Sequence, residues 1–351
     1  MILVLNAGSS SLKLAVFDHQ LRQCVDGLIS NIGGRGALKT GETRAEIFTH
    51  DHTDALDQLL DALIVAGLPL NQITAVAHRV VHGGRRLIAP TLLTPDVLRQ
   101  IQAMVPLAPL HNPPALAGIA AVTDKLPLSP QYVSFDTAFH ATQPDLATTY
   151  ALPAAQREKG IRRYGFHGLS YAGMVRQFGA NLPDRLLALH LGAGVSLCAI
   201  KGGKSIATSM GYSPLSGPTM ATRTGDIDGM AVLRIAQEEG FETANRLLNT
   251  QSGLLGLSGI SGDMRTLLAD ESPQAQFAID HFVYTIVQQA GGLIAAMQGV
   301  DAVAFTGGIG ENSTEIRDRI MARLAWLGPL PMHIVPADEE RQIAIDAFSL
   351  I

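Results

Sequence analysis

Apolar residues run from Ile2 to Leu5, break at Asn6-Ala7-Gly8-Ser9-Ser10-Ser11, and resume from Leu12 to Phe17. That pattern predicts a strand, a polar turn and a second strand. Further buried-strand runs stand at Ala75 to Val81, Tyr132 to Phe135, Leu186 to Leu191 and Ala302 to Thr306. Helical periodicity alternates with them, as in Ala278 to Met297. Thr94-Pro95-Asp96 places a capping hydroxyl and a first-turn proline ahead of Val97, Ile101 and Met104, so a helix begins there. Ser313 can cap another helix, whose Ile316, Ile320, Leu324 and Leu327 share one face and which Gly328 can end. Alternation of this kind implies an α/β fold with layered sheets. A domain break is expected between the Asp136-Thr137-Ala138-Phe139-His140 segment and the Leu152-Pro153 region, without a Pro/Gly/Ser linker to mark it.

The 351 residues suffice for two domains with cores of their own. With 47% hydrophobic and 16% charged residues, the chain suits a well-packed enzyme and not a disordered one. A formal charge of −5 and 5% aromatic residues supply neither a basic field nor stacking platforms, which excludes nucleic acid as a partner. Two distant cysteines, Cys24 and Cys198, make neither a disulfide scaffold nor a metal cluster, and fit a reducing cytoplasm. The first residues lack the basic region and long apolar core of an export signal, and no apolar run is long enough to span a bilayer.

Two common nucleotide signatures fail. Gly203-Lys204-Ser205 looks like the end of a Walker A loop, but Cys198 stands where its first glycine is required. Gly192-Ala193-Gly194 and Gly308-Ile309-Gly310 each lack the third glycine of a dinucleotide fingerprint. The turn at Asn6 to Ser11 holds a glycine, three hydroxyls and an amide that can face phosphate together, or it is an ordinary hairpin. Gly307-Gly308-Ile309-Gly310-Glu311-Asn312 allows close approach of a nucleotide, or is a tight strand-to-helix turn. Arg79 and Arg223, each beside glycine and apolar residues, can grip an oxyanion bidentately or form structural salt bridges. His111 and His167 sit in glycine- or proline-flanked loops, where function and structure are both common roles. Asp136 closes an apolar strand, a position suited to a metal ligand or base and equally to a loop cap.

In order along the chain, these segments resemble the acetate and propionate kinase family, within the superfamily of sugar kinases, actin and Hsp70. The stretches are Asn6-Ala-Gly-Ser-Ser-Ser-Leu-Lys13, His78-Arg-Val-Val-His-Gly-Gly84, Pro109-Leu-His-Asn-Pro113, Phe135-Asp-Thr-Ala-Phe-His140 and Tyr164-Gly-Phe-His-Gly168. They continue at His190-Leu-Gly-Ala-Gly194, Ser209-Met-Gly-Tyr-Ser-Pro214, Thr222-Arg-Thr-Gly-Asp226, Ser252-Gly-Leu-Leu-Gly256 and Phe305-Thr-Gly-Gly-Ile-Gly-Glu-Asn-Ser313.

The resemblance implies two ribonuclease-H-like, actin-like domains closing over a cleft. Their expected bounds are residues 1–140, completed by a C-terminal helix at about 341–351, and residues 141–340. It implies reversible transfer of the ATP γ-phosphoryl group to acetate, with propionate as a further acid, dependence on Mg²⁺, and a homodimer. By position, Asn6, Ser9, Ser11 and Lys13 fall near phosphate. Arg79 and Arg223 fall on the carboxylate and the moving phosphoryl, with His111 and His167 beside them. Val81, Leu110, Phe166 and Pro214 match the pocket for the acid's tail. His190, Gly192, Gly194, Asp263, Arg265, Gly308, Gly310, Glu311 and Asn312 match the nucleotide site. Asn6, Asp136 and Glu339, chosen over Glu340, match the metal side. Three departures stand out: Ala193 replaces a usual asparagine, Met264 replaces a usual aromatic residue, and the stretch from Trp326 to Pro336 is short, lacking a strand and turn.

A carboxylic acid with a pKa of about 4 is ionised at pH 7, so its attack on phosphorus needs no general base. The obstacle is repulsion between two anions, which positioning and cations relieve. Paired arginines therefore favour an acid over a sugar as acceptor. The competing reading from another class is a non-catalytic nucleotide-binding paralogue, motivated by Ala193 and the trimmed tail.

Overall fold

The structure, a computed structural model, describes every residue except Ser9, Glu42 and Leu110. Ile2–Ala7 (β1) and Ser11–Phe17 (β2) pair antiparallel, with Ile2 opposite Phe17 and Asn6 opposite Lys13. Gln23–Ser30 (β3), Gly34–Thr40 (β4) and Thr43–Thr49 (β5) extend this meander to one side. On the other side Ala75–Val80 (β6) runs parallel to β1, beyond which lie Thr91–Leu92 (β7) and Gln131–Phe135 (β8). Among the described residues these form one sheet in the order β5-β4-β3-β2-β1-β6-β8-β7.

Two helices cover one face of it. Asp51 caps His52–Val65 by accepting from the amides of Thr53 and Asp54, and Leu56, Leu59, Leu60 and Leu63 pack on Leu3, Leu5, Leu12, Leu14 and Val16. In Asn112–Lys125, Ala115 and Ile119 pack with Val80, Val133 and Phe135. The helix Glu339–Phe348 packs back on β1, β6 and β8. Met1–Phe139 and Asp338–Ile351 therefore make one compact unit, and His140–Ala337 a second.

In the second unit the sheet order is β11-β10-β9-β12-β13, from Arg185–Leu191 (β9), Val195–Lys201 (β10), Lys204–Thr208 (β11), Ala302–Thr306 (β12) and Met332–Ile334 (β13). The helix Pro273–Met297, capped by Ser272, buries Phe282, Ile286 and Leu293 beneath it. Every residue of β12 is buried, as its unbroken apolar run requires.

Three local readings need correction. Gly307–Asn312 is a short helix and not a bare turn, since Gly307 at φ 80° turns the chain directly from β12 into it. Ser313 does cap the next helix, Thr314–Leu324, but Leu327 belongs to a separate 3₁₀ turn that ends at Gly328. The shortened stretch before Asp338 still supplies a strand, β13, because its three residues pair in parallel with β12. No helix of the described residues is long and apolar enough to cross a membrane.

His78 on β6 is buried, and its Nε2–H donates to Gln131 Oε1 at 2.8 Å. Burial lowers its pKa from 6.5 to about 4, against the smaller opposite pull of Gln131. Between those values the unfolded chain binds a proton that the folded one refuses, so stability falls as pH drops. From pH 7 to 4.5 this residue removes about 2–3 kcal/mol. Denaturant unfolding of His78→Asn at both pH values should show a correspondingly smaller acid loss than the wild type, and an equal loss would contradict the assignment.

Candidate functional site

In the first unit the polar residues gather at the carboxyl ends of parallel strands, where the apolar pattern stops. Asn6 lies near the end of β1, Arg79 near the end of β6, and Asp136 directly follows β8. Arg79 grips Asp136 with two parallel bonds, Nε to Oδ1 at 2.9 Å and Nη2 to Oδ2 at 2.6 Å. Its Nη1 donates to Asn6 Oδ1 at 3.1 Å, and Glu339 Oε2 stands 3.7 Å from Nε. Glu340 takes the other side, accepting from Asn6 Nδ2 at 3.1 Å and Lys13 Nζ at 2.7 Å.

These charges set one another. Burial opposes the Arg79 charge, but Asp136, then Glu339, outweigh it and hold the guanidinium above its ordinary range. Burial pushes the Glu339 carboxyl up to about 7; Arg79 pulls it down, while Asp136 and Glu340 add to the rise. Burial also acts upward on Glu340, yet the Lys13 ammonium and the bonds from Lys13 and Asn6 leave it below the usual range.

The residues expected at a metal thus share one cation already, the Arg79 guanidinium. Among the described residues no three His, Cys, Asp or Glu side chains are arranged to hold an ion. Mg²⁺ commonly takes only one or two carboxylates beside waters and phosphate oxygens, and Asp136, Glu339 and the Asn6 amide are the hard oxygen donors it prefers. In donor chemistry they fit.

Ser11 opens β2 and its carbonyl accepts from the Gly8 amide at 2.8 Å. His111 is half-buried ahead of Asn112–Lys125, and the buried Asn112 amide bonds both the N–H and the carbonyl of His82, at 3.1 Å each. This ties the His111 turn to the segment carrying Val81, which is itself buried. Ser9 and Leu110 lie outside the described residues.

In the second unit His190 lies near the end of β9, and Gly192-Ala193-Gly194 turns the chain into β10. A methyl group on Gly194 would come within 2.4 Å of Arg223 Nη2 and 3.3 Å of His167 Nε2, so only glycine lets both side chains reach this backbone. His167 has φ 59° and ψ 23°, a left-handed conformation that a non-glycine residue holds at a cost. The buried His140 helps to hold it, with Nε2 2.9 Å from the carbonyl of Phe166. The rings of His167 and His190 stack at 4.1 Å with 19° between their planes.

Arg223 Nη1 donates to the carbonyl of Pro214 at 2.6 Å. No carboxylate of the described residues pairs with it, and burial alone draws its pKa down to about 10. This is a half-buried, partly desolvated cation with no counter-ion among the described residues.

A cavity of about 770 Å³ opens beside the turn, lined by Gly192, Ala193, Thr222, Asp263, Met264, Arg265, Leu268, Gly308, Ile309, Asn312 and Ser313 among others. Asp263 caps the helix Met264–Leu268 and pairs with Arg265 at 2.5 Å, the arginine side chain being 90% exposed. Gly310 and Glu311 do not line the cavity: Gly310 is buried, and Glu311 Oε1 accepts from the amides of Gly307 and Ala337 at 2.9 Å each. Three residues behind the histidines, Ser170, Tyr171 and Ser196, escape sequence reasoning, and Glu340, passed over there for Glu339, is the one that holds Asn6 and Lys13. Only the spacing of Ser170 and Tyr171, three and four positions after His167, signals that they could share its face.

The chain matches the model of the acetokinase family over residues 1–344. It is 44% identical over 353 residues to the acetate kinase of Rhodopseudomonas palustris, covering 93% of this chain and 87% of that protein. It is 40% identical over 390 residues to the acetate kinase of Bacillus cytotoxicus, covering 99% and 98%. Among solved structures it is similar to a propionate kinase from Francisella tularensis, with 34% identity, a TM-score of 0.92 and 98% of both chains covered. The acetate kinase of Porphyromonas gingivalis gives 33% identity, a TM-score of 0.89 and 99% of both chains. The fold is therefore the ribonuclease-H-like, actin-like α/β fold that the resemblance implies.

The two arginines predict opposite effects on stability. Asp136→Ala leaves Arg79 without its main partner and should destabilise the protein by roughly 3 kcal/mol, the scale of breaking a buried pair. Arg223→Leu removes an uncompensated cation and should be neutral or stabilising. Denaturant midpoints decide this, and a marked loss in Arg223→Leu would show a counter-ion in the folded protein.

Proposed function

We propose that this chain, which belongs to the acetokinase family, catalyses reversible transfer of a phosphoryl group between ATP and the carboxylate of acetate. The observation that carries the reading is Arg223, a partly desolvated cation with no carboxylate partner among the described residues, set with His167 and His190 around the Gly192-Ala193-Gly194 turn. Such a group costs stability unless an anion completes it.

The carboxylate oxygen of the acid attacks the γ-phosphorus as the bond to the bridging oxygen of ADP breaks, and no proton need move. Arg223 Nη2 and the imidazole Nε2 atoms meet charge on the phosphoryl oxygens. Arg79 keeps N–H donors beyond those given to Asp136 and Asn6, and we assign them to the acid's carboxylate. The buried Val81 is assigned to its short apolar tail. Held on Asp136, Glu339 and Asn6, Mg²⁺ would neutralise phosphate charge. The cavity lined by Ala193, Met264 and Leu268 is assigned to the nucleoside.

Ala193 lines that cavity but offers no amide. A missing hydrogen bond of this kind is worth about 0.5–1.5 kcal/mol, too little to abolish transfer. Both cysteines are free thiols, in keeping with the reducing cytoplasm we assign to the enzyme.

A homodimer is part of the proposal. The helix Gly229–Glu239 buries none of its residues, and Ile227, Met230, Leu233 and Phe241 on and beside it are exposed. Met230 and Leu233, one turn apart, share a face suited to a second copy.

Pure protein incubated with MgATP and a panel of short acids, with acyl phosphate trapped as hydroxamate, should turn over acetate and, less well, propionate. Arg223→Ala should keep the fold and lose on the order of a hundredfold in kcat. Near-wild-type turnover in that variant would remove Arg223 from the site. The Ala193→Asn substitution should change KM for ATP less than about tenfold. Inactive wild type restored by it would establish the non-catalytic reading instead. Sedimentation should give a dimer that Leu233→Asp converts to monomer, and a monomeric wild type would refute the interface.

A further inference from the structure

Both imidazoles of the stacked pair are held from behind. His167 Nδ1 lies 2.8 Å from Ser196 Oγ, and His190 Nδ1 lies 2.9 Å from Ser170 Oγ. The opposite nitrogens face the glycine turn: methyl groups on Gly194 and Gly192 would meet His167 Nε2 at 3.3 Å and His190 Nε2 at 3.7 Å. Behind Ser196 stands Tyr171, fully buried, with its hydroxyl 2.6 Å from the same Oγ.

A neutral imidazole has one N–H and one acceptor nitrogen, and a hydroxyl has one proton to give. Burial, with Cys198 adding to it, keeps the Tyr171 phenol protonated well above its usual range. With the Tyr171 proton given to Ser196 Oγ across the 2.6 Å contact, the Ser196 proton is left for a second acceptor. Ser196 then gives its own proton to His167 Nδ1. Two imidazolium rings at 4.1 Å would repel, which favours neutral rings in the stack.

We propose that Tyr171 and Ser196 form a hydroxyl relay that positions His167 and fixes its neutral tautomer with the proton on Nε2, with Ser170 holding His190 in the same way. The proposal rests on the phosphoryl-transfer reading in one respect: it makes the two Nε2–H groups donors to the phosphoryl oxygens. The protein thereby presents them in advance, with no ring rotation or proton rearrangement left for the reaction step. Ser196, Ser170 and Tyr171 act through the histidines and are positioning residues.

Imidazole-¹⁵N correlation spectra of the full chain at pH 8 test this without substrate. The wild type should show a protonated Nε2 and an acceptor-type Nδ1 for His167. Tyr171→Phe and Ser196→Ala should each mix the tautomers and lower kcat by about tenfold, with KM for ATP changed less than about threefold. The Ser196→Thr variant should restore both. A proton on Nδ1 in the wild type, or unchanged His167 signals in both variants, would overturn the relay. Should Ser196→Ala fail to fold, Tyr171→Phe, which removes one oxygen and keeps the ring, decides alone. Failure of the functional reading would show separately, as absent acid-dependent turnover with the tautomer result intact.

Discussion

A half-buried arginine with no carboxylate partner among the described residues is the constraint on which the second unit depends. Arg223 keeps its charge at the expense of part of its hydration, and among the described residues the Pro214 carbonyl compensates it directly. Around it the chain accepts further costs: a left-handed His167 and a glycine where any side chain would collide with the guanidinium. Strain and desolvation concentrated on one turn make sense if an anion completes the arrangement.

The first unit handles charge the opposite way. Arg79 is neutralised by Asp136 and Glu339, and Lys13 by Glu340, so its polar cluster is nearly self-contained. Yet the two units share one plan. In each, parallel strands β1 and β6, or β9 and β12, carry apolar residues until their carboxyl ends, where the sheet delivers the polar groups. That end of an α/β sheet is where ligands ordinarily bind. The reaction needs cations that are already in place, and the rigid strands supply them.

Much of this was legible in the sequence, for physical reasons. Strands β1, β2, β6, β8, β9 and β12 are mostly buried and read as apolar runs with few polar interruptions. By contrast β4 alternates half-buried and exposed residues and includes two glycines, Gly34 and Gly36, so nothing in it announces a strand. Glycines at 307, 308 and 310 read as a turn because backbone hydrogen bonding, not composition, makes them helical. Arg79, Arg223, His167 and Asp136 stood out beside glycine and apolar strands, and the family resemblance gave them their roles. The pairing among them was not legible: Glu339, matched to the metal side by the resemblance, is 260 positions from Arg79 and comes beside it only through the returning helix. Ser196 and Tyr171 are ordinary residues until the fold sets them behind His167.

If the unpaired Arg223 is the receptor for the phosphoryl group, phosphate binding should depend on it while nucleoside binding should not. Calorimetric titration of ATP and of adenosine, with divalent metal chelated, separates the two in wild type and Arg223→Leu. The account predicts that Arg223→Leu lowers the affinity for ATP by at least about tenfold, the scale of a charge-assisted hydrogen bond, and leaves that for adenosine unchanged. Equal ATP affinity in the two proteins would contradict it.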